Sequence, residues 1–192
     1  MKNAIKLVIF CIFIAGFIYF GTLGKENRGS NKRKSGSFAD DFFGSAYVFE
    51  SINHSKLLSK LSSKNQNMII YACYIDSKLC AEYGEIINDI ALNYEIEKIY
   101  YYDFKTDKSE NNATYQKIVS KFSDFVFVDD LGKANLYAPT LIFIKDGEVY
   151  EYDDDLAFVH GNKDAKDILT DEKVQEKREY LINVLEGYLT YE

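Results

Sequence analysis

The chain has 192 residues, enough for one domain and a short additional segment, and its 47% hydrophobic and 16% aromatic residues can form a sizeable core. Residues 1–36 carry a net charge of +6 and residues 37–192 a net charge of −13, with Arg178 as the only arginine in the second part. Because a domain this acidic repels a phosphate backbone, the composition argues against nucleic-acid binding.

An apolar run over residues 7–24, bounded by a lysine on each side, is the first element in chain order. At about 1.5 Å per residue, a helix of this length just crosses the roughly 30 Å hydrocarbon layer of a bilayer. A cleaved signal peptide is the alternative, but only Thr22 and Gly24 offer a small-residue cleavage site and the run is long for such a signal. We therefore expect a membrane anchor over residues 7–24, after a short tail of residues 1–6.

Residues 25–44 form a polar, basic linker with Gly and Ser and no hydrophobic period. The positive charges on this side of the anchor favour a cytoplasmic domain, whereas a short N-terminal anchor ahead of a folded domain more often exports that domain. We expect a single-pass membrane protein with an extracytoplasmic domain over residues 45–192, and the orientation stays open at this point.

The first half of this domain alternates between predicted strands and helices. Segments of strand length lie at residues 46–50, 68–75 and 96–104. The second of these strands is almost continuously apolar, which predicts burial on both faces of a sheet. Asn53 or Ser55 caps a helix after the first strand, and helical spacing predicts a longer helix from Leu79 to near Asn93.

The second half adds a helix, a hairpin and a final helix. Apolar residues over 115–122 predict the helix, and strands at 140–144 and 149–152 flank an Asp-Gly pair that favours a tight turn. Thr170 is a good N-cap for the last helix. The order β-α-β-α-β-α-β-β-α predicts an α/β domain with a mixed central sheet, mostly parallel with an antiparallel edge, and helices on its faces.

The segment Tyr137–Tyr150 resembles the part of thioredoxin in which a cis-proline opens a core strand that turns through a hairpin. Pro139 is the only proline in the chain and stands at the first position of a strand, where proline is tolerated. The resemblance implies a cis bond between Ala138 and Pro139. It also implies that the backbone of Ala138 pairs with an extended substrate segment.

The segment Tyr74–Asp89 resembles the redox turn of thioredoxin, in which Cys-x-x-Cys opens a long helix. Here the motif is degenerate and reads Ser-x-x-Cys: Ser77 replaces the attacking cysteine and Cys80 matches the resolving one. Asp76 stands where an aromatic residue is expected, and Tyr71 lies near the position of a buried acid. These differences put dithiol exchange in doubt, since a serine cannot attack a disulfide.

Residues 46–190 thus resemble the thioredoxin-like superfamily, and the anchor and C-terminal helix make the chain similar to bacteriocin transport accessory proteins. The resemblance implies a thioredoxin-like fold. We expect a binding protein that holds an extended polypeptide beside Pro139, with Ala138 and Asp76 in contact with a protein partner at the membrane. The alternative is a divergent thiol-disulfide oxidoreductase or thiol peroxidase that acts through Cys80.

Cys80 lies where backbone N–H groups of a helix lower a thiol pKa, but it also neighbours an apolar helix face, and we interpret it as a buried, inert cysteine. Cys73 is close enough in sequence to pair with it outside the cytoplasm. Because six residues separate the two and a disulfide needs Cα atoms within about 7 Å, two independent core cysteines are favoured.

Neither a metal nor a cofactor is expected. His54 and His160 have no partner at metal-ligand spacing, and the acidic runs at 129–130 and 153–155 are interpreted as solvated loops. The chain contains no glycine-rich phosphate-binding motif and no Gly-x-Ser-x-Gly nucleophile motif.

Overall fold

A five-stranded sheet forms the centre of the computed structural model, which describes residues 47–158 and 164–190. All of these residues belong to one unit, Ser35–Glu192. The strands are β1 (Phe49–Ser51), β2 (Met68–Cys73), β3 (Ile99–Asp103), β4 (Thr140–Lys145) and β5 (Glu148–Asp153).

The strand order is β1-β3-β2-β4-β5. β1 and β2 run parallel to β3, whereas β4 is antiparallel to β2 and β5 is antiparallel to β4. A parallel three-stranded half with an antiparallel hairpin at its edge is the arrangement of the thioredoxin-like fold, so the predicted fold class is confirmed. The second strand ends at Cys73, two residues earlier than predicted, because the chain turns towards the next helix there.

The helices are α1 (His54–Leu61), α2 (Lys78–Asn93), α3 (Lys105–Ser109), α4 (Ala113–Lys121), α5 (Ala165–Ile168) and α6 (Asp171–Leu189), with a 3-10 turn at Asp155–Phe158. The predicted long helices are present, and Asn53 rather than Ser55 caps α1. Thr170 caps α6 as expected, its side chain accepting the N–H of Lys173. The short helices α3 and α5 were not predicted because fewer than two helical turns leave little periodicity to detect.

Two apolar layers cover the two faces of the sheet. One layer contains the buried side chains of α2 and α6, and the other contains those of α1 and α4. All six residues of β2 are buried, and they alternate between the layers, which confirms the strand covered on both faces. In the last helix, Leu181 and Leu185 are buried in the first layer, whereas Leu189 is 43% exposed.

The β4–β5 hairpin turns through Asp146 and Gly147, both of which have positive φ. Two consecutive residues of this kind form the tight turn whose twist matches the flanking strands. The turn is further held by the N–H of Asp146, which donates to the side-chain oxygen of Asn67 at 2.7 Å. The Asp-Gly hairpin is therefore confirmed.

The helices in the described part of the chain are each too short or too polar to span a bilayer. The predicted anchor, residues 7–24, lies outside the described residues, as does the linker of residues 25–44.

A buried ion pair attaches α6 to the sheet. Lys177 is 2% exposed, and its ammonium donates to the carboxylate of Asp153 at 2.6 Å, while the hydroxyl of Tyr83 donates to the other oxygen of that carboxylate at 2.6 Å. The prediction that residues 153–155 are a solvated loop is thus wrong for Asp153. β5 extends through this residue and directs it under α6, whereas Asp155 remains exposed.

Replacing one partner of this pair leaves an uncompensated buried charge. We expect Lys177→Met to lower the free energy of unfolding by about 3–5 kcal/mol, measured by urea denaturation. The double variant Lys177→Met/Asp153→Leu should recover most of that loss. Lys173→Met is the matched control. Lys173, one turn earlier in the same helix, pairs with the exposed Glu176, and its replacement should cost less than about 1 kcal/mol.

Candidate functional site

Cys73 and Cys80 form a disulfide where β2 passes into α2. Cys73 is the last residue of β2, Cys80 is the third residue of α2, and their Cα atoms are 6.0 Å apart. The prediction of two independent cysteines is wrong: the N–H of Ser77 donates to the carbonyl of Tyr74, and this tight turn brings the start of α2 back beside the end of β2. Both cysteines are fully buried, with 0% of each exposed.

Ser77 is the N-cap of α2. Its hydroxyl oxygen accepts the N–H of Cys80 at 3.3 Å, and its carbonyl accepts the N–H of Ala81. Serine is well suited to this position because its short side chain reaches the unpaired N–H groups of the first turn. The side chain of Ser77 therefore has a structural task at the start of α2.

Two further hydrogen bonds hold the first turn of α2 against β2. The N–H of Tyr74 donates to the sulfur of Cys80 at 3.3 Å, and the hydroxyl of Tyr71 donates to the carbonyl of Cys80 at 2.7 Å. Complete burial raises the pKa of Tyr71 well above its ordinary value. The phenol thus stays protonated at neutral pH and acts as a hydrogen-bond donor to the backbone.

Asp76 lies on the exposed rim of this junction. Its carboxylate forms an ion pair with Lys105, the first residue of α3. The hydrogen bond from Lys105 holds the pKa of Asp76 below its ordinary value. Asp76 is therefore an exposed negative charge with one partner, and its predicted contact with a binding partner stays a prediction.

The segment before β4 is fixed by side chains from α3 and α4. The hydroxyl of Tyr115 accepts the N–H of Leu136 at 3.1 Å, and the ammonium of Lys108 donates to the carbonyl of Leu136 at 2.6 Å. The same ammonium lies 4.0 Å from the centre of the Tyr137 ring, a cation–π contact. Burial lowers the pKa of Lys108. Leu136 thus has both backbone groups satisfied, and the chain enters Ala138 from a fixed position.

The Ala138–Pro139 bond is cis, as predicted. Ala138 is half-buried and packs against both apolar layers, including the one that contains Cys73 and Cys80. Within residues 47–158 and 164–190, neither the N–H nor the carbonyl of Ala138 makes a hydrogen bond. β4 pairs with β2 only from Thr140 onwards, opposite Ala72, so Ala138 lies just beyond the end of the paired sheet.

A second polar group of residues lies at the carboxyl ends of β1 and β3. The Nδ1 atom of His54 lies 3.0 Å from one carboxylate oxygen of Asp107. The other carboxylate oxygen accepts a hydrogen bond from the hydroxyl of Tyr102 at 2.8 Å. These residues line a pocket of about 380 Å³. The sequence did not reveal this His–Asp contact, because the two residues are 53 positions apart.

In the part of the chain that the structure describes, no group of three or more His, Cys, Asp or Glu side chains is placed to hold a metal.

No protein-family model matches the chain, and no curated protein matches it in sequence. Among solved structures, the chain is similar to thioredoxin O1 from Arabidopsis thaliana in the oxidized state, with 14% identity and a TM-score of 0.39 over 69% of this chain and 96% of that one. It is also similar to thioredoxin O2 from the same plant, with 14% identity and a TM-score of 0.35 over 68% and 94% of the two chains. A likeness at this identity concerns the fold alone, which the strand order already defines.

The disulfide should stabilise the domain mainly by restricting the unfolded chain. Cys11, the third cysteine of the chain, is first replaced by serine so that only the disulfide is tested. In this Cys11→Ser background, Cys73→Ala/Cys80→Ala should lower the free energy of unfolding by about 2–3 kcal/mol, because the closed loop is short. Iodoacetamide should label neither cysteine after unfolding without a reductant, and both after unfolding with one. Labelling of Cys73 or Cys80 in unreduced, unfolded protein would contradict the disulfide.

The Asp76–Lys105 pair makes a pH-dependent prediction. Because the folded pKa of Asp76 is depressed, the contribution of this carboxylate to stability is present above its ordinary pKa and is lost as the pH falls through the lower folded value. An NMR titration should give a midpoint for Asp76 below the ordinary aspartate value of about 3.9. Lys105→Met should move that midpoint upwards, and an unchanged midpoint would show that Lys105 is not its cause.

Proposed function

We propose that this protein is a membrane-tethered, thioredoxin-fold binding protein that holds an extended polypeptide segment at Ala138 and does not catalyse dithiol exchange. The observation that carries the proposal is the pair of backbone groups of Ala138, which is left without hydrogen bonds beside the apolar layers of the domain. Because Ala138 is only half-buried, its unpaired backbone donor and acceptor are accessible to an incoming strand. An extended peptide supplies a donor and an acceptor together.

The position of Ala138 supports pairing in the manner of an added strand. It lies immediately before β4 and beyond the last β2–β4 pair, so a peptide there continues the hydrogen-bonding pattern of the sheet. In strand addition, main-chain hydrogen bonds give affinity and neighbouring side chains give specificity. Tyr137 directly precedes Ala138 and is partly exposed, and Asp76 is exposed between β2 and α2.

The burial of the disulfide argues against exchange chemistry. A thiolate must reach one sulfur of a disulfide and displace the other, and neither Cys73 nor Cys80 exposes any surface. Ser77, at the attacking position, is engaged in capping α2. We therefore assign Cys73–Cys80 a structural role, and the alternative of an oxidoreductase or peroxidase acting through Cys80 has no accessible sulfur to work with.

The disulfide also supports the proposed location. Structural disulfides persist outside the reducing cytoplasm, so Cys73–Cys80 favours an extracytoplasmic domain over the orientation suggested by the positive charges of the linker. Tethering by residues 7–24 would then keep the domain at the outer surface of the membrane. Its partner would be an exported or membrane polypeptide, as the resemblance to bacteriocin transport accessory proteins implies.

The proposal is tested with fluorescent synthetic peptides and the full-length protein in mild detergent, by anisotropy. A peptide that binds should lose at least about tenfold in affinity when alternate backbone nitrogens on its pairing edge are methylated, since each methyl removes a donor and blocks the approach of a strand. The matched control carries the methyl groups on the other edge and should bind normally. Equal affinity of both methylated peptides would contradict strand pairing.

A second measurement separates binding from redox chemistry. The protein should not accelerate insulin reduction by dithiothreitol, and Cys73→Ala/Cys80→Ala should bind the same peptide with unchanged affinity where it remains folded. Turnover comparable to that of a dithiol thioredoxin, abolished in the same double variant, would favour the oxidoreductase instead.

A further inference from the structure

Residues 125–135 form a small, ordered hairpin between α4 and β4, which we call the aromatic hairpin. Val128 pairs with Ala134, and the carboxylate of Asp129 accepts the N–H groups of Leu131 and Lys133 at 3.0 and 2.8 Å. Gly132 closes the turn with a φ of +75°. The backbone of this segment is thus held by its own hydrogen bonds, and its side chains are presented in a fixed arrangement.

The aromatic hairpin exposes large apolar side chains. Phe125 is 47% exposed, Phe127 50%, Val128 49% and Leu131, at the tip of the turn, 92%. Single exposed apolar residues are ordinary, but four within seven positions of one turn are typical of interaction sites. Exposing these side chains on a well-formed turn contributes nothing to the core of the domain.

This apolar group is continuous with the Ala138 edge. The Phe127 ring lies 5.9 Å from the Tyr137 ring, and both lie against Phe158, at 5.6 and 5.0 Å. Tyr137 directly precedes Ala138 in the chain. A peptide paired with the backbone of Ala138 and extended towards α4 therefore meets the aromatic hairpin next.

Aspartates flank the exposed apolar residues of the aromatic hairpin along the chain. Asp124, Asp129 and Asp130 lie within the same short stretch, where Lys133 is the single basic residue. The domain as a whole carries a net charge of −13 over residues 37–192. An apolar surface bordered by negative charge selects a ligand that is apolar at its centre and basic at its ends. A second copy of this domain carries the same negative net charge and is repelled.

We propose that the aromatic hairpin is a docking surface for a polypeptide segment whose apolar side chains are flanked by Lys or Arg. The surface extends the Ala138 edge, so the inference rests on the proposed function and names the class of partner. The apolar side chains of the segment pack on Phe127, Val128 and Leu131, and its basic residues lie beside Asp124 and Asp130.

The test compares three synthetic peptides binding to the full-length protein in detergent: one with an apolar centre and Lys at both ends, one with the same centre and Glu at both ends, and one with Lys ends and a Ser-Gly centre. We expect the first to bind at least about tenfold more tightly than either of the others. Its affinity should fall as salt is added, because exposed charges are screened. Equal binding of the Lys-ended and Glu-ended peptides would overturn the proposed charge selection.

Variants then locate the surface. Leu131→Ser should weaken binding of the first peptide about tenfold, whereas Leu189→Ser, at an exposed leucine on α6, should not change it. Asp124→Asn/Asp130→Asn should weaken it about threefold at low salt. The control is Glu97→Gln, at an exposed carboxylate just before β3. Leu131 is almost fully exposed, so its replacement does not threaten folding.

The two proposals fail in different ways. If methylating the pairing edge of the peptide abolishes binding but Leu131→Ser has no effect, the Ala138 edge stands and the aromatic hairpin is not part of the surface. If methylation has no effect while Leu131→Ser weakens binding, strand pairing is wrong. A rise in apparent mass with concentration that Leu131→Ser removes would assign the hairpin to self-association and overturn the inference.

Discussion

The connection between the centre of the sheet and the first turn of α2 determines what this protein is able to do. Cys73 ends the most buried strand, Cys80 lies in the first turn of α2, and their disulfide is enclosed by both elements. The hydrogen bonds from Tyr71 and Tyr74 to Cys80 close the same junction. Because both sulfurs are fully buried, the disulfide makes this junction rigid and is not accessible for reaction.

At the same end of the sheet, the segment before β4 leaves one residue without backbone hydrogen bonds in the described chain. Tyr115 and Lys108 satisfy both backbone groups of Leu136, and the side chain of Thr140 donates to the carbonyl of Tyr137. Ala138 lies between these fixed residues without hydrogen bonds of its own in the described chain. A binding edge built in this way loses little conformational entropy on binding, because the surrounding residues are already ordered.

The order of long elements could be predicted from the sequence because apolar periodicity and capping residues are local signals, and Asn53, Ser77 and Thr170 each cap a helix. The disulfide could not be predicted from the sequence, because its formation depends on how tightly the chain turns after Cys73. The buried Lys177–Asp153 pair and the His54–Asp107 contact also escaped prediction, because each joins residues distant in sequence. The aromatic hairpin had no detectable period, and only the structure shows its side chains exposed.

The central claim, that Ala138 is the residue that pairs with a bound polypeptide, is tested most directly by amide hydrogen exchange at that position. In the free protein the N–H of Ala138 should exchange quickly, because it is half-exposed and without an acceptor in the described chain. Adding the Lys-ended apolar peptide should slow its exchange at least about tenfold, as a new hydrogen bond requires. Unchanged exchange at Ala138 under saturating peptide, with protection appearing elsewhere, would contradict the account.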